Sequence, residues 1–376
     1  MREASVGQLC ATSAKLFELV GISTKNKRQG AQSSSSALSV GAEIRSMPRV
    51  VVDGHSLHDT GGPEALAQLA VALGPQTFLL RPSKAPPIAP RLAREYPSIG
   101  RLAILRETRE LLAHDIFIVP EKTLSPNNHN CEERLTRRRV RVWIWLLSTR
   151  TRRTTHKFRA QGCNLFAHSH HTAEHLERWD PAYGFRTLPP LDIVIRPYIS
   201  PSTVKFCRST RNSKPSGTPL VLLDSDTDAT ARARALRACH DGVCRVELVK
   251  GLSRSQVTER LIEASVVVDL CPIGSERLPI EAVLCGADMI TSACMNGEDE
   301  RDFPLDASLR LNDATALTST LQSVLKRRAA AWSGSAALRR LYDEEIGPAS
   351  MAREAAAALA AMRNSSSPLP RIRLVG

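Results

Sequence analysis

Short runs of aliphatic and β-branched residues, each followed by a segment with helical periodicity, occur along most of this chain. Examples are RVVVDG (49–54), DIFIVPE (115–121), PLVLLDSD (219–226) and ASVVVDLCP (264–272). Continuous apolar runs of this kind are typical of strands buried on both faces, as in parallel sheets. Strands that alternate with helices predict an α/β fold of two doubly wound, Rossmann-like domains, with a ligand site at the carboxyl ends of the strands.

The 376-residue length fits two domains of ordinary size. A stretch rich in Ser, Pro and basic residues is typical of a linker and provides the division between them. The predicted segments are a disordered tail or targeting segment at 1–47, an N-terminal Rossmann-like domain at 48–200, the linker at 201–218, a C-terminal Rossmann-like domain at 219–330, helices at 331–364 and a tail at 365–376.

The chain is strongly basic, with a formal net charge of +13. Such an excess favours anionic partners, and much of it lies in RLTRRRVRVWIWLLSTRTRRTTHKFR (134–159). A solvated basic surface is the preferred interpretation, because no nucleic-acid motif and little aromatic interleaving accompany the charge. No apolar run reaches the length of a membrane span. A cytoplasmic location is predicted, with organelle targeting by residues 1–47 as the alternative.

The nine cysteines are scattered, odd in number and without a C-x-x-C pair. Secreted disulfide frameworks normally have even numbers at regular spacings. The pattern therefore predicts buried free thiols in a reducing compartment rather than disulfide bonds.

A pair of glycines, Gly61 and Gly62, follows the first predicted strand and precedes a helix. Glycine lets the backbone approach a ligand closely, and a helix N-terminus offers unpaired N–H groups to an anion. The pair is not a G-x-G-x-x-G fingerprint, so nicotinamide binding is not supported. Contact with a phosphate or sugar and a plain loop before a helix both remain open.

A histidine-rich segment, HTAEH (171–175), formally matches a zinc-peptidase pattern. No third ligand is evident after it, so a helix N-terminus with half-exposed histidines is the preferred interpretation. A helix is predicted over 171–179, and no metal site is predicted.

Charged residues interrupt the otherwise apolar stretch at 266–292, where Arg277 precedes a predicted helix and Glu281 lies near its first turn. A guanidinium at the carboxyl end of a central strand can hold a diphosphate by paired hydrogen bonds. A carboxylate near the helix N-terminus can accept two ribose hydroxyls. An Arg277–Glu281 pair on a solvated helix end explains the spacing equally well.

Several motifs, in this order along the chain, together resemble one known family. They are TGGPEALAQL (60–69), IFIVPE (116–121), RVWIWLLS (141–148), CNLFAHSHHTAEHL (163–176), VELVKGLSRSQVTERLIEASVVVDL (246–270), DLCPIGSERLPIEAV (269–283) and MITSACMNGEDERDFPLD (289–306). The chain resembles GT-B glycosyltransferases of group 1 (family 4-like), and is most similar to a little-characterised bacterial branch associated with surface-polysaccharide gene clusters.

The resemblance implies a nucleotide diphosphate sugar bound by the C-terminal domain, a glycan or other acceptor bound mainly by the N-terminal domain, and no metal or cofactor. It implies a hexose as the transferred group and retention of configuration. Catalytic roles fall on Arg277 and Glu276. The donor-binding residues are then Glu281, Gly274, Lys250, Gly61 and Gly62, and position alone suggests His58 and Asp59 for the acceptor side.

The sequence also departs from the family motif. Ser275 stands where the motif has a lysine, and Ile273 replaces the first glutamate of the usual Glu-x7-Glu pair. A catalytically silent binding protein with the GT-B fold is therefore one alternative, and a basic nucleic-acid-binding protein is another. The donor role assigned to Arg277 predicts that Arg277→Ala abolishes donor binding and leaves the fold intact.

Overall fold

The computed structural model describes residues 48–55, 57–58, 61–121, 135, 138–147, 163–175, 177–180, 184–187, 191–211, 217–224, 227–252, 254–270, 272, 277–329 and 333–364. The predicted tails at 1–47 and 365–376, and most of the basic segment at 134–159, lie outside these ranges. None of the helices in the described ranges combines the length and the apolarity that crossing a membrane requires.

A six-stranded parallel sheet forms the first half of the fold, residues 48–200. Its strands are β1 (Val50–Asp53), β2 (Thr77–Leu80), β3 (Ala103–Leu105), β4 (Ile116–Pro120), β5 (Arg141–Leu146) and β6 (Asn164–Ala167). Across the sheet their order is β3-β2-β1-β4-β5-β6. All four residues of β1 are buried, as expected for a strand covered on both faces.

The helices in the described part of the first half are short apart from the one that follows β1. They are α1 (Gly61–Ala72), α2 (Pro90–Glu95) and α3 (His170–Glu174), with 3-10 turns at Pro97–Arg101 and Thr108–Glu110. The helix predicted over 171–179 is wrong beyond Glu174. Residues Glu177–Asp180 form strand β7 and pair antiparallel with β8 (Gly184–Thr187), so strand pairing prevails over the local helical pattern.

A second parallel sheet lies within residues 201–345, the second half of the fold. Its strands are β9 (Leu220–Leu223), β10 (Arg245–Leu248), β11 (Ala264–Val268), β12 (Asp288–Ser292) and β13 (Arg310–Leu311), in the order β10-β9-β11-β12-β13. With the helices interleaved along the chain, the two parallel sheets confirm the predicted α/β architecture.

Helices connect and cover the strands of the second sheet. They are α4 (Pro201–Thr210), α5 (Ala229–Ala238), α6 (Arg254–Glu263), α7 (Arg277–Leu284), α8 (Leu317–Ala329) and α9 (Ala336–Arg340). A π-helical turn at Leu341–Glu345 follows, and then α10 (Pro348–Asn364), which packs on α1 of the first half. Shorter 3-10 turns lie at His240–Gly242, Met295–Glu298, Ala307–Leu309 and Ala314–Ala316.

The chain crosses between the halves twice. The predicted linker begins with helix α4, and the Ser200 side chain caps this helix by accepting a hydrogen bond from the backbone N–H of Thr203. Helix α10 returns to the first half, where Arg141 Nη1 donates to the backbone carbonyl of Met362 at 2.9 Å. The predicted domain boundaries stay a prediction.

Disulfide bonds correct the expectation of free thiols. Cys207 in α4 is bonded to Cys285, the residue after α7, with the Cα atoms 4.3 Å apart. Cys239 is bonded to Cys244 across a 3-10 turn, with the Cα atoms 4.7 Å apart. The first pair is 78 residues apart in sequence and meets only because α4 packs on α7. Its partnership is therefore invisible in the cysteine spacing.

Candidate functional site

The two halves meet at the carboxyl ends of their strands. Helix α1 follows the loop after β1, Ser169 follows β6, and helix α7 lies between β11 and β12. Side chains from these positions contact one another across the junction. A parallel sheet places its ligand site at this edge.

The glycine loop of the first half lies directly against the predicted donor residues of the second half. A Cβ atom added to Gly61 would lie 3.5 Å from Cδ of Arg277, and one added to Gly62 would lie 3.9 Å from Cδ1 of Leu147. Gly61 therefore lies within van der Waals reach of the aliphatic part of Arg277. The structure brings Gly61, Arg277 and Glu281 together, as their predicted roles at one site require.

Arg277 binds two buried carboxylates, one from each half. Its Nε and Nη2 atoms donate to Oε1 of Glu281 at 3.1 and 2.7 Å, and its Nη1 forms an ion pair with Oε2 of Glu64. Both glutamate side chains are fully buried, and that of Arg277 is 17% exposed. The predicted Arg277–Glu281 pair therefore forms, but inside the protein rather than on a solvated helix end.

The charge state of Arg277 follows from these neighbours. Burial alone would lower the pKa of its guanidinium, but the negative charges of Glu281 and Glu64 outweigh burial and raise that pKa. The side chain is therefore held in its charged form by carboxylates on two sides.

Glu64 is a site residue that was not among those predicted from the sequence. Its carboxylate accepts hydrogen bonds from Arg91 and, at 2.8 Å, from the Tyr96 hydroxyl. Burial and the charge of Glu64 raise the pKa of Tyr96, so this hydroxyl stays protonated and donates. One signal was available, because Glu64 and Gln68 lie one turn apart in TGGPEALAQL, among apolar residues of the buried helix face.

A second polar cluster joins the halves beside β6. His168 Nδ1 lies 2.7 Å from the backbone carbonyl of Leu146, and because that carbonyl can only accept, Nδ1 carries the proton. The Nδ2 of Asn296, from the second half, then donates to His168 Nε2 at 3.2 Å. The Ser169 hydroxyl donates to Oδ1 of the same asparagine at 3.3 Å.

An acidic side chain of the second half caps a helix of the first. Asp302 accepts hydrogen bonds from the backbone N–H groups of His170 and His171 at 3.0 and 2.8 Å. These are among the N-terminal N–H groups of α3 that have no partner within the helix. The loop after β12 is therefore fastened to the first half at several polar points.

The other predicted site residues are either exposed in loops or outside the described residues. Lys250 is exposed just beyond edge strand β10, and His58 is exposed in the loop after β1. Asp59, Gly274 and Glu276 lie outside the described residues.

The histidines of the HTAEH segment do not form a metal site in the described structure. The rings of His171 and His175 stack with their centroids 4.5 Å apart. Across the described ranges, no group of three or more His, Cys, Asp or Glu side chains is arranged to hold a metal ion.

No family model matches the chain, and no curated protein matches it in sequence. Its structure, however, resembles solved structures over most of its length. Anabaena Alr3699/HepE in complex with UDP and glucose superimposes with a TM-score of 0.52 at 10% identity, covering 84% of this chain and 100% of that protein. The complex of the same protein with UDP-glucose gives 0.50 at 10% identity, covering 83% and 99%.

A further solved structure is similar to the same extent. AviGT4, a glycosyltransferase involved in avilamycin A biosynthesis, superimposes with a TM-score of 0.50 at 12% identity, covering 84% of this chain and 98% of AviGT4. The chain has the GT-B fold. At identities this low the similarity extends to the fold alone, so function has to be argued from the site.

Proposed function

We propose that the protein is a glycosyltransferase that moves a hexose from a nucleotide diphosphate sugar to a glycan or other acceptor. The observation that carries the proposal is the packing of Gly61 on Arg277, next to Glu281, where the carboxyl ends of both sheets meet. A substrate at this junction contacts the glycine loop of one half and the phosphate-binding chemistry of the other. The GT-B proteins with which the fold superimposes include one solved with UDP-glucose.

Arg277 is the proposed ligand for the diphosphate. Of the five N–H groups of a guanidinium, three point to Glu64 and Glu281, which leaves two without a bond to any described residue. Because the two carboxylates neutralise Arg277, it offers directed hydrogen bonds rather than excess positive charge. N–H groups at the N-terminus of α7, Gly274 and Lys250 supply the remaining contacts in this proposal.

Glu281 is proposed to accept hydrogen bonds from the ribose hydroxyls while it also holds Arg277. An ionised carboxylate has about four acceptor positions, so both functions fit one side chain. His58 and Asp59, in the loop after β1, are proposed for the acceptor side, and Glu276 for catalysis next to Arg277.

The proposed reaction needs neither a metal ion nor a cofactor, because N–H donors meet the charge of the leaving diphosphate. Treatment with EDTA should therefore leave turnover unchanged. A cytoplasmic site of action and a role in the synthesis of surface polysaccharide belong to the same proposal.

The test is a binding and turnover screen on the full chain. We expect thermal stabilisation by UDP or GDP and by a matching sugar nucleotide, and release of the nucleoside diphosphate from that sugar nucleotide in a coupled assay. A chain that no UDP- or GDP-sugar stabilises, but that binds DNA or RNA tightly and in a salt-sensitive manner, would contradict the proposal and favour a nucleic-acid-binding protein.

A catalytically silent binding protein with the same fold is the second candidate. It is favoured by the neutralisation of Arg277 by Glu64 and Glu281, and by Ser275 at the position of the motif lysine. Stabilisation by a nucleotide sugar without any release of the nucleoside diphosphate would support this candidate over the transferase.

A further inference from the structure

We propose that Glu64 is a positioning residue, which fixes the Arg277 guanidinium in the orientation that binds the donor diphosphate. The inference rests on the proposed function, since it assumes that Arg277 binds a nucleotide diphosphate. It adds a charged side chain of the first half to a donor site to which that half otherwise contributes Gly61 and Gly62.

Glu64 is a fixed point without Arg277. Its Oε1 accepts a hydrogen bond from the Tyr96 hydroxyl at 2.8 Å, and its Oε2 also binds Arg91. The side chain is fully buried, so no water competes for these contacts. Removal of Arg277 would therefore leave the carboxylate where it is.

The supports of Glu64 are themselves anchored. Gln68 Nε2 donates to the Tyr96 hydroxyl at 2.9 Å and to the backbone carbonyl of Tyr198 at 2.7 Å. The backbone N–H of Tyr198 donates back to Gln68 Oε1 at 3.1 Å. A continuous set of hydrogen bonds thus runs from the segment before α4, through Tyr96, to Glu64.

Two carboxylates on different edges of the guanidinium define its plane. Glu281 binds the Nε and Nη2 edge from one helical turn away, and Glu64 binds Nη1 from the other half. A single partner on its own helix would leave the long arginine side chain able to change rotamer. The second contact removes that freedom and sets the direction of the remaining N–H groups.

The charge of this cluster makes the inference testable by the sign of an effect. Glu64, Glu281, Arg91 and Arg277 together are neutral, so Glu64→Gln would give the cluster one net positive charge. Simple electrostatic attraction predicts tighter binding of an anionic diphosphate to this variant. Positioning predicts weaker binding, because Arg277 loses the partner that orients it.

The experiment measures the affinity for UDP, or for GDP if the wild type prefers it, by calorimetry on full-length protein. The variants are Glu64→Gln, Arg277→Lys and the double variant. We expect Glu64→Gln to weaken binding about 10-fold, the size typical of a hydrogen bond to a charged group. In the Arg277→Lys background the same substitution should change affinity less than about 2-fold, because its effect passes through the guanidinium.

Tighter or unchanged binding by Glu64→Gln would overturn the inference, and so would equal losses in both backgrounds. If the wild type binds UDP or GDP and Glu64→Gln binds it with the same affinity, only the inference is refuted. A wild type that binds no nucleoside diphosphate or its sugar refutes the proposed function as well.

Two further variants separate positioning from folding. Tyr96→Phe removes one support of Glu64 and keeps both charges, so it should weaken binding by a smaller factor, again only when Arg277 is present. It decides the question if Glu64→Gln does not fold, since unchanged affinity in Tyr96→Phe would then overturn the inference. The control is Asp115→Asn, a buried acid that accepts from Arg49 at 2.6 Å at the amino end of β4, and it should leave affinity unchanged.

Discussion

Two arginines of the second half each bind a glutamate of the first half, in very different surroundings. Arg277 is 17% exposed and binds the fully buried Glu64, whereas Arg301 is 49% exposed and binds Glu174, which is 43% exposed. Each arginine also binds an acid from its own half, Glu281 for Arg277 and Asp299 for Arg301. Both bridges join an arginine to a carboxylate of each half, and their access to water differs widely.

The comparison shows which bridge fixes geometry. When one partner of a buried pair is removed, the other keeps its charge and cannot regain water, so the loss is large. When one partner of an exposed pair is removed, water replaces it, and salt already screens the attraction. The Arg301 hydrogen bond lowers the pKa of Glu174, yet this exposed bridge contributes little to holding the halves together. The buried bridge at Arg277 is therefore expected to hold both the junction and the proposed donor site.

The largest expected effect is that of Arg277→Ala. The substitution leaves Glu64 and Glu281 buried with one cation fewer, and we expect the free energy of unfolding to fall by about 3–5 kcal/mol. Urea denaturation followed by circular dichroism measures it, with Arg277→Lys as the control that keeps the charge. The sequence alone predicts an intact fold for Arg277→Ala. An unchanged urea midpoint would support that prediction and would show that the buried bridge stabilises the protein no more than the exposed one does.

An intermediate effect is expected for Tyr96→Phe. Without the hydroxyl, Glu64 loses a donor and Gln68 Nε2 loses an acceptor within a buried network. We expect a loss of about 1–2 kcal/mol in the free energy of unfolding, with no dependence on salt. A loss equal to that of Arg277→Ala would mean that the network, rather than the charges, carries the stability of the junction.

The smallest effect is expected for Glu174→Gln. Its side chain is largely solvated, so the thermal midpoint should equal that of the wild type at physiological salt and differ only at low ionic strength. Differential scanning calorimetry at two salt concentrations measures this. A clearly lower thermal midpoint at physiological salt would show that the exposed bridge also stabilises the junction, and the two bridges would then not differ in this respect.

The fold was predictable because the buried strands can be recognised from their local sequences. RVVVDG and ASVVVDLCP are continuous apolar runs, without the apolar–polar alternation of a half-exposed strand, and helical periodicity follows each of them. The succession of strands and helices can therefore be predicted from the sequence. The contact between Arg277 and Glu281 was predictable for a related reason, since a charge next to a buried strand and helix needs a partner or a ligand.

Glu64 was not predictable, because its partners Arg91 and Arg277 are distant in sequence and are brought to it by the packing of two halves. The sequence showed only that Glu64 and Gln68 are polar residues on the apolar face of α1 and would need hydrogen-bonding partners there. The Cys207–Cys285 bond escaped prediction for the same reason, as it depends on a helix contact between residues 78 positions apart.

That disulfide bond also limits where the protein can bend. On the first crossing between the halves, Tyr198 is tied to Gln68 of the first half, and Cys207 is tied to Cys285 of the second. On the return crossing, Asp343 is bonded to Arg211 of the second half at 2.8 Å, and Glu354 to Arg196 of the first half at 2.7 Å. Between these anchors the first crossing consists of residues 199–206 and the return crossing of residues 344–353.

Both stretches include the first six residues of a helix, α4 for 199–206 and α10 for 344–353. Residues of both stretches line one groove of about 410 Å³, so they are neighbours in space. Any rotation that separates Glu64 from Arg277 would therefore have to bend the first turns of α4 and α10.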